Sequence, residues 1–301
     1  MEELNKSKLN FKKNVLLKKF TTYHIGGLAK YFFIADKIED LLNALIWAKN
    51  NNLLYFLIGA GSNIIISDKD FLGLVIKLGK DFDKIKIEKE KVIVGSAVKI
   101  SRLGNYLINK GFEGFEFMCG IPGTIGGAVK MNAGTIEGEI KDNIISVKVL
   151  TSQLEIKNIK KDNIEFFYRF SNVAEKGEII LGAEWSFKNK AKIKDLKKKV
   201  KEILLQRKIK QPEIKKNCGS VFKNPCNDCH SAAWYIEQAG LKGMQIGDAQ
   251  ISLKHANWIV NLGNATDCDV KFLISHIQKV VLEKFNIKLK REVIYIPEDI
   301  F

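Results

Sequence analysis

The sequence predicts an α+β fold with mixed sheets, organised in more than one folding unit. Three observations predict it. Short apolar runs of strand length alternate with stretches whose apolar residues recur at helical spacing. The chain has 301 residues, 46% of them hydrophobic, enough for a sizeable core over a length that suggests two or three units. The order of elements never settles into a regular βαβ repeat.

Read in order, residues 31–35 form an apolar strand, 38–48 a helix and 54–58 another strand. Residues 59–63 are a turn, and 64–67 and 74–78 are further strands. A hairpin is expected over 84–94, then a helix over 100–110 that ends at Gly111. Residues 120–134 form a glycine-rich loop with a short helix inside it, followed by strands at 144–150, 164–167 and 179–187. A lysine-rich amphipathic helix spans 193–208 and is broken at Gln211-Pro212. Beyond it come a strand at 220–223, a helix at 232–239, a strand at 256–261, a helix at 270–285 and a closing strand at 290–296. The main boundary is placed near residue 195, with no internal repeat or low-complexity linker on either side.

Composition narrows the classes. The formal charge is +15, yet only four of the 49 basic residues are arginines (Arg102, Arg169, Arg207, Arg291). Surfaces that read phosphates and bases favour the arginine fork. No basic stripe interleaved with aromatics and arginines appears, so a nucleic-acid partner is not expected. Lysine spread over every segment reads as a solvated surface whose field could steer an anionic substrate. The apolar runs are too short to span a bilayer and the start is polar, so the expected location is the cytoplasm with no membrane insertion. Five cysteines (Cys119, Cys218, Cys226, Cys229, Cys268) are then expected as reduced thiols.

Two glycine-rich loops stand out. Gly59-Ala60-Gly61-Ser62-Asn63-Ile64 follows an apolar strand, and its successive N–H groups could form an anion-binding nest. A Rossmann fingerprint is disfavoured, because Ile64 stands where the third glycine belongs and a strand follows. The segment from Cys119 to Gly134 packs five glycines and one of only four prolines into a stretch of little charge. So many unhindered positions suit a backbone wrapped round a pyrophosphate.

With these loops the sequence resembles the UDP-N-acetylenolpyruvoylglucosamine reductase family over nearly its whole length. Eight motifs occur in the family's order. They are Thr21-Thr22-Tyr23-His24-Ile25-Gly26-Gly27, Gly59 to Asn63, Gly120-Ile121-Pro122-Gly123-Thr124-Ile125-Gly126-Gly127 and Asn132-Ala133-Gly134. Tyr168-Arg169-Phe170-Ser171, Gly219 to Pro225, Gly240 to Gly247 and Arg291-Glu292-Val293 complete the set.

The resemblance implies a vanillyl-alcohol-oxidase (PCMH)-type FAD-binding domain over 1–195, built of two α+β subdomains at roughly 1–79 and 80–195. A C-terminal α+β substrate domain would occupy 196–301. It implies that Gly59, Ala60, Gly61, Ser62, Asn63 and Ile64, with Gly120, Pro122, Gly123, Thr124, Gly126 and Gly127, hold a non-covalent FAD. It implies a ping-pong cycle in which NADPH reduces the flavin and leaves. UDP-N-acetylglucosamine enolpyruvate then enters and takes hydride, becoming UDP-N-acetylmuramate for peptidoglycan synthesis. A monomer of the shorter family type, without the inserted tyrosine loop, is expected.

The chemistry accounts for the implied catalytic residue types. Hydride addition to the enolpyruvyl double bond builds negative charge beside its carboxylate, where the planar cation of Arg169 would stabilise it. The carbanion-like intermediate is a strong base, so even a serine hydroxyl, Ser220, can serve as its acid. Glu292 matches the acidic partner that stabilises the enolic intermediate or orients the donor. Lys210, Asn224 and His255 match positions that contact the substrate's diphosphate and sugar. His24 is read as a surface histidine rather than a covalent flavin attachment.

One signal competes. Cys226-Asn227-Asp228-Cys229-His230 has the form of a c-type haem attachment site and, with Cys218 nearby, could suit a metal. It falls in a variable loop of the resembled family in a chain without an export signal, and no metal is expected there.

Overall fold

The computed structural model describes residues 9–175, 177–187, 189–225 and 230–300. The chain divides into two compact units. One comprises Met1–Lys12, Tyr31–Gly59 and Gly73–Gln206, the other Lys13–Lys30, Ala60–Leu72 and Arg207–Phe301.

In the first unit, helix α1 (Ile38–Asn50) buries Leu41, Ala44, Leu45 and Ala48 along one face. That stripe packs with Leu74, Ile76, Leu150, Ile179 and Leu181 in a single cluster. Strand Tyr55–Leu57 pairs in parallel with Phe71–Leu78, Tyr55 opposite Leu74. The largest sheet is antiparallel, in the order Ile156–Lys160, Ile144–Leu150, Ile179–Ser186, Lys91–Gly95 and Ile85–Glu88. Its apolar face shares a core with α2 (Ile100–Ile108) and α3 (Ile125–Lys130), including Val92, Val94, Leu103, Leu107, Ile125, Val129 and Val147. Trp185, buried in this core, donates its indole N–H to the Ile140 carbonyl at 3.0 Å. This satisfies the one polar atom of a large buried ring. Helix α4 (Ile193–Lys210) buries only Leu196 and Val200, so its lysines form a solvated face, as the sequence suggests.

In the second unit, α5 (Ala232–Gln238) and α6 (Asp267–Phe285) pack with a three-stranded antiparallel sheet of Gln245–Ile246, Ala249–Ile251 and Ile259–Asn261. Strands Ile64–Ile66 and Ile294–Ile296 pair in parallel. Among the described residues no helix is long and apolar enough to cross a membrane.

Several expectations need correction. Residues 220–223 are not a strand: a single bridge joins Phe222 to Arg291 in an otherwise irregular segment. The strand expected at 164–167 contracts to Phe166–Phe167, preceded by the turn Lys161–Asn163. The closing strand begins at Ile294, not residue 290, and α6 begins three residues earlier than its apolar pattern suggests. Strand Ile156–Lys160 lies at a sheet edge and has hardly any buried residue to mark it. Cys226 and Cys229 lie outside the described residues. Cys119 and Cys218 are buried free thiols, and Cys268 is an exposed one. His24 is exposed.

Candidate active site

The two glycine-rich loops meet at Gly59 and Thr124. A Cβ built on Gly59 would lie 2.5 Å from Thr124 Oγ1, so any other residue there would force the Thr124 side chain to move. Gly61 has φ +64°, and a Cβ there would stand 2.2 Å from the Phe20 carbonyl oxygen. The second loop is tied down by Ile100 N–H donating to the Gly123 carbonyl and Ile125 N–H to that of Val98. Gly126 packs on Ser96, while a Cβ on exposed Gly127 would lie in ordinary contact with Thr124 Oγ1 at 3.9 Å. Among the described residues, the N–H groups of residues 59–63 and of Thr124 donate to no protein acceptor. Such a row of free donors beside glycines fits the diphosphate of FAD.

Arg169 sits in the first unit at the tip of the hairpin Phe166–Phe167 and Phe170–Ser171, with φ +55°. A left-handed arginine is an unfavoured choice that the surroundings must enforce. Its Nη2 donates to the Gly134 carbonyl at 2.8 Å, and its guanidinium lies 5.0 Å from the Tyr168 ring centre. Nη1 is 3.8 Å from Glu139 Oε1. Asn132, fully buried, donates Nδ2 to Glu139 Oε2 and to the Phe167 carbonyl, each at 3.0 Å. Ser171 Oγ donates to the Val129 carbonyl at 2.8 Å. The motifs Asn132-Ala133-Gly134 and Tyr168-Arg169-Phe170-Ser171 are thus two sides of one brace round a single guanidinium.

Ser220 and Glu292 belong to the second unit, on adjoining segments. Glu292 N–H donates to the Val221 carbonyl at 2.8 Å, and Lys223 N–H to that of Lys290 at 2.9 Å. Asn257 clamps the serine segment. Its carbonyl accepts from Val221 N–H and its Oδ1 from Phe222 N–H, while Nδ2 donates to the Phe222 carbonyl at 2.8 Å. Gly219, with φ +83°, makes the bend before Ser220. Asn63 ties the first glycine-rich loop in, donating Nδ2 to the Glu292 carbonyl at 3.2 Å. Thr22 Oγ1 donates to the Asn217 carbonyl at 2.6 Å and reaches the Gly61 carbonyl at 3.2 Å. This gives the Thr21 to Gly27 motif its work. Cys218 is buried beside Glu292; burial and that charge push its thiol up to about 12.

His255, two residues before the Asn257 clamp, is half-buried, and burial holds its ring below the usual histidine range. Asn224 and Lys210 are exposed; Asn224 Oδ1 accepts from Ala232 N–H at 3.0 Å. Neither makes a described contact with Ser220 or Glu292. Sequence reasoning missed Glu139, Asn257, Thr22 and Lys77, whose Nζ donates to the Gly59 carbonyl at 2.5 Å. Of these only Thr22 lies inside a quoted motif, and nothing in spacing marks the others.

Residues 211–296 match the family described as UDP-N-acetylenolpyruvoylglucosamine reductase, C-terminal domain, and residues 29–159 match the FAD binding domain family. The reductase of that name from Clostridium tetani is 39% identical over 96% of this chain and 93% of its own length. That of Desulforamulus reducens is 39% identical over 95% and 93%. The solved reductase from Thermus caldophilus is 32% identical, covers 96% of this chain and 99% of its own, and superposes with a TM-score of 0.82. The chain therefore belongs to the UDP-N-acetylenolpyruvoylglucosamine reductase family of FAD-dependent oxidoreductases.

Proposed function

We propose that this protein reduces UDP-N-acetylenolpyruvoylglucosamine to UDP-N-acetylmuramate with NADPH, for peptidoglycan precursor synthesis. It would act as a cytoplasmic monomer without nucleic-acid or membrane partners. The observation that carries this reading is the clamped pairing of the Ser220 and Glu292 segments. When bound, FAD supplies two-electron hydride transfer between NADPH and the enolpyruvyl group. Residues 59–64, with Gly120, Pro122, Gly123, Thr124, Gly126 and Gly127, would line its site, with free N–H groups such as those of Gly59 and Thr124 as donors.

Arg169 neutralises charge that builds beside the substrate carboxylate, and its braces keep the guanidinium from having to reorganise. Ser220 gives its hydroxyl proton to the carbon next to the carboxylate. Glu292 orients that hydroxyl and stabilises the enolic form. His255, neutral at pH 7, would offer hydrogen bonds rather than charge to the sugar nucleotide, and Lys210 and Asn224 would contact its diphosphate and sugar.

Rapid-mixing experiments on Ser220→Ala test the assignment. Flavin reduction by NADPH should stay near the parent rate, while reoxidation by the enolpyruvyl substrate slows by about 10²–10⁴-fold, the usual worth of a positioned acid. Normal rates in both half-reactions would remove Ser220 from the acid's role.

A further inference from the structure

Where the two glycine-rich loops meet, the first unit also places two lysines. Lys77, on strand Phe71–Leu78, is half-buried and donates Nζ to the Gly59 carbonyl at 2.5 Å. Lys99 is the bridge partner of Thr124, and Thr124 is the residue that Gly59 approaches. One chain of contacts thus runs from Lys77 through Gly59 and Thr124 to Lys99.

Neither lysine forms an ion pair with a carboxylate among the described residues. Many other lysines of this chain do, including Lys80, Lys84, Lys86 and Lys91 on neighbouring segments. Burial and the charge of Lys99 both lower the Lys77 pKa, so the position is costly for an ammonium. A half-buried cation near a second cation, with a carbonyl as its one hydrogen-bond acceptor among the described residues, is explained by an anion that belongs between them.

We infer that Lys77 and Lys99 form an electrostatic anchor for the two negative charges of the FAD diphosphate, acting with the free N–H groups of Gly59 and Thr124. The inference rests on the reading that the two glycine-rich loops hold FAD. Lys77 would be the stronger of the pair, because it is the less exposed and its head group is fixed by the Gly59 carbonyl. Lys99, exposed at the rim, would contribute through longer-range attraction.

The test uses flavin-free full-length protein titrated with FAD, followed by quenching of flavin fluorescence. Lys77→Met should raise the FAD dissociation constant by roughly tenfold to a hundredfold, and Lys99→Met by a smaller factor. Lys77→Arg should keep most of the affinity. The Lys77→Met defect should shrink between about 0.05 M and about 1 M salt, because screening removes a charge effect and leaves a packing effect intact. An FAD affinity unchanged in Lys77→Met would overturn the anchor, as would a defect of equal size at both salt concentrations. The latter would make Lys77 a mere strut for the Gly59 turn. Gly59→Val forces a side chain against Thr124 and serves as the control. If it loses FAD while Lys77→Met does not, the loops hold FAD and the lysines play no part. If both variants keep full FAD affinity, the loop assignment itself fails.

Discussion

At the scale of single residues, the arginine hairpin shows how charge is positioned. Glu139 receives Asn132 Nδ2 at 3.0 Å and Lys141 Nζ at 2.9 Å, and faces Arg169 at 3.8 Å. Glu139→Gln would keep the shape and an acceptor for Asn132 but remove the charge that draws the guanidinium. Arg169 would still be held at Gly134, so partial misalignment is expected rather than loss. The substrate KM should rise and kcat fall by up to about tenfold, with flavin reduction by NADPH unchanged. Because the ion pair is partly exposed, melting should shift by less than the equivalent of about 1 kcal/mol. A normal KM and kcat would show that Glu139 does not position Arg169. Arg169, Ser220 and Glu292 are singled out only by ordered motifs, since each alone could be an ordinary surface group. Glu139 and Asn257 act through contacts with residues distant in sequence, which no spacing rule reveals.

At the scale of elements, long amphipathic helices were legible and short strands were not. Helices α1 and α2 carry clear apolar stripes, whereas Lys12–Leu16 and Gln245–Ile246 contain few buried residues, so period-two alternation had little to register. The start of α6 was misplaced for a related reason. Its first turn is polar, and the signal lies in the cap, Thr266 followed three residues later by Asp269. Thr266 Oγ1 accepts from Asp269 N–H at 3.1 Å, and Asp269 Oδ2 accepts from Thr266 N–H at 2.8 Å. The helix then buries Val270, Leu273, Ile274, Ile277 and Val281 in the second unit's core. Thr266→Ala should therefore destabilise that unit by about 1 kcal/mol, seen as a fall of roughly 2–4 °C in melting temperature. An unchanged melting curve would mean that packing alone fixes the helix start. Asp269 also fills the space beside Gly247, where an added Cβ would lie 2.6 Å from its carboxylate. This ties the Gly240 to Gly247 motif to the same cap.

At the scale of the molecule, each unit buries a thiol among the described residues. Cys119 lies with Ile108, Leu196 and Val200 in the first, and Cys218 lies in the main core of the second. Burial, reinforced by Glu116, pushes Cys119 up to about 11; burial, reinforced by Glu292, pushes Cys218 up to about 12. Thiolate is the reactive form, so both should be inert in the native state near pH 8. Cys268 is exposed and should label freely. A thiol whose folded pKa is raised adds stability that is full below its ordinary value of 9.0 and is lost as pH climbs towards 11 and 12. Labelling with a maleimide across a denaturant series, with each cysteine located by peptide mass, should give separate curves for Cys119 and Cys218. Each curve reports the opening of its own unit, and both midpoints should move to lower denaturant when the pH is raised above about 9. Native labelling of Cys218 as fast as that of Cys268 would contradict its burial beside Glu292. Coincident curves for Cys119 and Cys218 at every pH would show that the two units unfold as one.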